Sequence, residues 1–391
     1  LLPCNVQAQS NSAFDEVGRF YVQSFAPQDY GAHAQNWAIV QSPEGLLYVA
    51  NGSGVLEYDG VSWRLIRISN RLAARSLAID TEGRVYVGAQ GELGYLAAVA
   101  PQGRRRPDAL GRMHYVSLLD HVPPDDRAFA DVWNVEKTSD GLYFMTNERL
   151  FRWDGREMKV WRPEARFGRI FALRDTLFVQ QRGIGLMRMD DDALALAPGG
   201  ALFQKDRIRG LVPWGEAAYL VVTQHRGMFR CPTRRRTEAA VRGPAYRGPA
   251  CSAFKPGLTE FLAPLQPYHA TLLPAGRLAI GTLRGGVVLL DDSGRLLRIL
   301  NETSGLRDED TKFTYVDRQG GLWLGLNNGL ARVEADTSLS YFDKTLGLLG
   351  NVEHVARHQG RLYAATSLGV YRLRPAAAGA PARFEPIPGI T

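Results

Sequence analysis

Several features are scarce or missing in this sequence, and each gap removes a class of protein. No run of about eighteen apolar residues occurs, so no segment reads as a membrane-spanning helix. Only three cysteines are present, Cys4, Cys231 and Cys251. The seven histidines are scattered. His354 and His358 are four apart, but they flank a predicted strand and turn, where that spacing does not put them on one helical face. No metal site is expected from them. No P-loop, Gly-x-Ser-x-Gly elbow or His-Glu-x-x-His pair is present, and no cofactor is implied. Lysine is scarce, so the formal net charge of +7, from 47 basic and 40 acidic residues, rests mostly on arginine. The runs Arg104–Arg106 and Arg234–Arg236 sit in insertions beside proline and glycine. They are not interleaved with aromatic residues on one face, so no nucleic-acid partner is expected.

What the chain does have is a repeat. Asp317–Gly321 is a turn cluster, Leu322-Trp323-Leu324 a short apolar strand, Asn327-Asn328-Gly329 a second turn, and Leu330–Val333 a second strand. Such a hairpin buries too little to be stable alone. Seven further copies follow the same plan, with second strands at Gly54–Asp59, Gly94–Leu96, Leu150–Asp154, Gly185–Asp190, Gly227–Arg230, Gly286–Asp291 and Gly369–Leu373. Each is preceded by an apolar strand, as at Leu47-Tyr48-Val49 or Leu362-Tyr363-Ala364. First strands such as Ala38-Ile39-Val40, and fourth strands such as Trp63–Ile66, Leu296–Ile299 and Leu339–Phe342, make four per unit. A β-repeat of about 40 residues with four strands is the spacing of propeller blades. The fold class expected is all-β: a β-propeller of four-stranded antiparallel blades, seven or eight in number. Blades start near 36, 75, 131, 169, 207, 268, 311 and 351. Phe20–Phe25 alternates like an outer strand and is a candidate to complete the last blade and close the ring. Either eight repeats close as one ring, or seven close and the eighth begins a second propeller.

The ends carry their own signals. There is no initiator Met, and Val6-Gln7-Ala8 before Gln9 fits the small-residue rule for signal-peptide cleavage. Residues 1–8 therefore read as the tail of a secretory signal, and 9–391 as the propeller domain. Another blade could begin at Pro386–Thr391, and the chain reads as part of a longer protein. In an exported chain Cys231 and Cys251 can form a disulfide across the loop Pro232–Ala250. Closing a loop of that length stabilises a fold by roughly 3 kcal/mol in the chain-entropy description. The sequence leaves both the bonded pair and two free thiols open.

Asp317–Gly325 followed by Asn328-Gly329-Leu330 resembles the two-component regulator propeller repeat. Ala38–Gln41 through Asn51–Gly60 resembles a first blade of the same sensors, and Ala279–Val287 an internal one. Ser304-Gly305-Leu306 and Leu346-Gly347-Leu348 match the Gly-Leu that leads into a following blade. The resemblance covers nearly the whole chain from about Gly18, and is weakest in blades four and five. It implies a non-catalytic sensor domain on the periplasmic or extracellular side of a bacterial membrane. Beyond such propellers lie a small β-sandwich, a transmembrane helix and a cytoplasmic output module such as a histidine kinase or a cyclase. The membrane connection would be made only through those further C-terminal segments, and homodimerisation would belong to the full-length protein.

In a propeller the connections that enter each innermost strand gather around one mouth of the central channel. Here they carry Trp37, Arg75, Trp133, Arg169, Arg207, Arg209, Tyr268, His269, Lys312 and His354. Cations with aromatic neighbours around one funnel suit a small-molecule or oligosaccharide ligand, especially an anionic one. Two other readings compete. A propeller enzyme, a lyase or glycan hydrolase, needs an acid and a base converging on the funnel, and no acid stands clearly beside His269 or His354. An interaction scaffold of the WD40 kind is poorly matched, since Trp153-Asp154 is the only Trp-Asp pair.

Overall fold

The computed structural model describes residues 16–98, 113–233, 251–335, 340–375 and 381–390. The N-terminal tail, both triple-arginine runs and most of the loop between Cys231 and Cys251 lie outside these residues. The described strands form eight four-stranded antiparallel sheets. The chain is a β-propeller. The innermost strands are Asn36–Gln41, Ala74–Ile79, Asn134–Thr138, Phe167–Leu173, Ile208–Pro213, Pro267–Leu272, Thr311–Val316 and, in the eighth sheet, Val352–His358.

Packing separates the eighth sheet from the rest. The innermost strands of sheets one to seven touch in a cycle, and Thr311–Val316 returns to pack on Asn36–Gln41. Hydrophobic clusters follow the same cycle, each joining two adjacent blades, from Ala38 with Leu77 round to Ala279 with Leu324. The eighth sheet has a small cluster of its own, centred on Tyr371, Leu373 and Phe384. Every residue of its innermost strand is exposed. The ring therefore has seven blades, and the eighth sheet stands outside it.

The ring closes through the N-terminus. Val22–Phe25 pairs antiparallel with Gly329–Val333, Val22 opposite Val333 and Phe25 opposite Leu330, and so supplies the fourth strand of blade seven. This corrects the expectation for Leu339–Phe342. Of that segment Leu339 lies outside the described residues, and Tyr341 makes only an isolated bridge with Arg19. The outer edge of blade seven is already taken by the N-terminal strand, so the later segment is free to lead into the eighth sheet. The last described strand, Arg383–Pro386, is the fourth strand of that sheet.

Aromatic packing fixes the seam. Phe25 stacks on Trp323 at 5.5 Å between ring centroids and meets the edge of Trp63 at the same distance. Buried Asn36 reaches across the seam to donate to Gly329 O at 2.9 Å, and its Oδ1 accepts from Asn51 Nδ2 at 2.9 Å. Gly329 has φ 106°, and a Cβ there would sit 2.6 Å from Phe25 O. Only glycine admits both the backbone angle and the close strand. In the turn of the same blade, buried Asp317 accepts from the N–H groups of Gln319 and Gly321, from Trp323 Nε1 at 2.9 Å and from Arg332 Nε at 2.7 Å. In blade five, Cys231 and Cys251 are joined by a disulfide, with Cα atoms 4.3 Å apart, between the third and fourth strands.

Candidate functional site

The channel entrance is built from residues at the starts of the innermost strands. Arg75 of blade two donates through Nε to Asp131 at 2.7 Å and lies over the rings of Trp37 and Trp133, at 4.8 and 5.3 Å. The two tryptophans meet edge to face at 6.0 Å. Together they form a clamp from blades one, two and three. Opposite, Arg169 of blade four and Arg209 of blade five lie over Tyr268 of blade six, at 4.9 and 4.7 Å. Arg169 Nη1 donates to the carbonyls of Arg209 and Tyr268, at 3.0 and 2.9 Å. Arg209 donates through Nε and Nη2 to Gln224 Oε1, at 3.1 and 2.6 Å. Arg207 and Arg182 stand exposed at the outer lip.

Around this entrance is a cavity of about 260 Å³, lined by the clamp residues, Arg169, Arg182, Arg207, Arg209, Tyr268 and Asn147. Among the described residues, no carboxylate forms a salt bridge with Arg169, Arg182, Arg207 or Arg209. Crowding has a titration signature. Burial, and then the charge of Arg169, pull Arg209 down to about 9. Partial burial and the charges of Arg207 and Arg166 pull Arg182 below the usual arginine range. Both directions mean that an anion placed here would relieve an existing cost. Lys312 lies 5.4 Å from the Tyr268 ring and 5.6 Å from the Trp37 ring, but it is paired with Asp310 at 2.8 Å.

A second cavity of about 320 Å³ shares Trp37, Arg75, Trp133 and Arg169 with the first, and continues into the channel past Asn134, Glu136, Lys137, His269, Phe313 and Tyr315. His269 therefore lines the inner chamber and is not part of the arginine-lined entrance cavity. Its Nδ1 accepts the Thr314 N–H at 3.3 Å and meets Thr314 Oγ1 at 2.9 Å, and its ring packs on Phe313 at 4.0 Å. Burial, then the charge of Arg169, pull it down to about 3, so it is neutral at physiological pH. Glu136 is in the same chamber. Burial pushes it up to about 7, against the Ala172 N–H and the Arg169 charge, which act the other way. The sequence shows no acid clearly beside His269; the fold brings Glu136 into the lining of the same cavity. Trp37 Nε1 and Asn134 Oδ1 are buried without a hydrogen-bond partner.

Of the residues picked from sequence, Trp37, Arg75, Trp133, Arg169, Arg207, Arg209 and Tyr268 converge on the entrance cavity. Lys312 stands beside them, His269 lies below them, and His354 lies on the exposed strand of the eighth sheet. Arg182 and Glu136 were missed. Arg182 follows the second strand of blade four, and Glu136 is the third residue of an innermost strand. A search confined to residues entering innermost strands passes over both.

No family model matches the sequence, and no curated protein matches it. Solved structures do match in fold. The extracellular domain of the hybrid two-component system BT3049 of B. thetaiotaomicron superposes with a TM-score of 0.64 at 13% identity, covering 92% of this chain and 49% of that one. The extracellular domain of the BT4673 one-component system from the same organism gives 0.56 at 15% identity, over 95% and 48%. The chain shares its fold with these extracellular domains. The chain spans about half the length of either domain. A streptogramin B lyase also matches, with a TM-score of 0.58 at 11% identity, over 81% of this chain and 98% of the lyase.

Proposed function

We propose that this chain is the ligand-sensing propeller of an extracytoplasmic signal-transduction protein, and that an anionic small molecule or oligosaccharide binds at the channel entrance. The observation that carries the reading is the group Arg169, Arg182, Arg207 and Arg209 around one cavity, none of them in a salt bridge with a carboxylate among the described residues. Guanidinium groups of this kind hold planar anions through paired hydrogen bonds. Tyr268 and the tryptophan clamp supply flat apolar walls for the rest of the molecule. The fold likeness to extracellular sensor domains supports this placement. Occupancy would be passed to a cytoplasmic output module through further segments of the protein. A thermal-shift screen against uronic acids, acidic oligosaccharides and small anions tests the reading. A ligand at 100 times its Kd stabilises the fold by about 2.7 kcal/mol. The shift should vanish in Arg169→Ala and Arg209→Ala. A shift unchanged in both variants sinks the entrance as the site.

A second reading rests on Glu136 and His269. A carboxyl near 7 beside a neutral imidazole in one chamber suits general acid–base work, and lyases share the fold. Chromatography of every stabilising ligand after incubation separates the two. Intact ligand supports the sensor, and consumption that stops in Glu136→Gln supports the enzyme.

A further inference from the structure

The two chambers carry opposite imbalances of charge. The outer one has uncompensated arginines. In the inner one, Glu136 has no cation within salt-bridge distance among the described residues. The Trp37–Arg75–Trp133 clamp lines both chambers, and Arg75, neutralised by Asp131, balances neither. Arg169 borders both and its charge acts on Glu136, but it forms no salt bridge with it, and its Nη1 donates to the carbonyls of Arg209 and Tyr268. A ligand that carried both charges would satisfy both chambers at once.

Resting on the entrance reading above, we infer that the ligand is a zwitterion: its acid group lies among Arg169, Arg182, Arg207 and Arg209, and its protonated amine passes the clamp to reach Glu136. Asn134 lies two residues before Glu136 on the same strand, so the two side chains share a face. The buried, unpartnered Asn134 Oδ1 is a second acceptor for that ammonium group. Neighbouring His269 stays uncharged and does not repel it. The chambers, about 260 and 320 Å³, admit a molecule of amino-sugar or amino-acid size.

The surroundings of Glu136 define how binding depends on pH. Blade two presents Arg75, already paired with Asp131, and Tyr86, which packs in the core between blades two and three. On its own blade, Lys137 lies where its charge acts on Asp175, and the Tyr143 hydroxyl is held by Asp140 at 2.6 Å. Blade four presents Arg169, and His269 and Tyr315 complete the wall across the lumen. Glu136 changes charge near neutrality. An ammonium ligand needs it ionised, so affinity should rise between about pH 6 and pH 8, on either side of the Glu136 value.

The test compares aminoalkanesulfonates of increasing length with alkanesulfonates of the same lengths, by calorimetry on the whole chain. Sulfonate and amine both keep their charge across this pH range, so a pH effect reports on the protein. The best aminoalkanesulfonate should bind about tenfold more tightly than its amine-free partner, equivalent to about 1.4 kcal/mol. The advantage and its rise with pH should disappear in Glu136→Gln, with alkanesulfonate binding retained. Arg209→Ala should weaken both series. Equal binding of both series in the wild type, lost in Arg209→Ala, overturns the zwitterion and leaves the entrance reading standing. Binding of either series that ignores Arg209→Ala, or no binding by either, overturns the entrance reading and this inference with it.

Discussion

Blade seven and the eighth sheet start from nearly the same sequence plan and reach opposite environments. Gly329-Leu330-Ala331-Arg332-Val333 and Gly369-Val370-Tyr371-Arg372-Leu373 are both third strands after a glycine turn. In blade seven the second strand Leu322–Leu326 is buried throughout. In the eighth sheet the corresponding strand Arg361–Thr366 has a single buried residue, Ala364, and its innermost strand exposes Val352 and Val355 at 47% and 52%. The difference lies in the neighbours. Blade seven is flanked by blades six and one and is completed by Val22–Phe25, while the eighth sheet has a small cluster of its own and meets the N-terminal segment through Arg357–Glu16 and Ala382 N–H to Val17 O. A repeat of this kind encodes a blade, and only adjacent blades turn it into a core.

This contrast can be broken from the blade-seven side. Phe25→Ala removes the ring stacked on Trp323 and should cost about 3–5 kcal/mol of ring stability, read as a lower urea midpoint. It would leave the edge of blade seven as poorly covered as that of the eighth sheet. Asp317→Ala should cost about 3 kcal/mol, since it strips Trp323 Nε1 and half-buried Arg332 of their shared acceptor. The corresponding turn of the eighth sheet has His358 and Gln359 and no such anchor. Replacing Cys231 and Cys251 by serine should cost about 2 kcal/mol, because the bond clips an outer strand inside the ring. The smallest effect should come from Leu373→Ala. The ring transition should move by less than about 0.5 kcal/mol, while amide exchange in Val352–His358 accelerates. An equal fall in the ring transition would show that the eighth sheet belongs to one cooperative unit with it.

Much of this was legible in the residues. Paired glycine turns and short apolar strands repeat with a clear period, and all eight sheets follow from them. The size of the ring was not legible. Every repeat looks alike locally, whereas closure depends on Phe25 meeting Trp323 and Trp63 from the far end of the sequence. That same closure displaced Leu339–Phe342 from blade seven. At the entrance, the arginines and aromatics leading into innermost strands were visible as a group because topology brings such positions together. His354 satisfied the same rule but belongs to the sheet outside the ring. Arg182 and Glu136 escaped because their roles depend on what surrounds them: burial and then the charge of Arg207 for one, burial for the other.

The strand that seals the ring also sets an order of events. Val22–Phe25 is synthesised ahead of every blade, yet its partner Gly329–Val333 comes last of the seven. The first strand made is therefore the last to be seated. Until blade seven exists, blade one lacks its neighbour on one side, and Phe25, Trp63 and Ile39 have no Trp323 or Leu330 to cover them. Joining segments so far apart carries the loop-closure cost that slows folding in chains with distant contacts. Until that seam forms, this apolar surface stands open to holdases and to proteases.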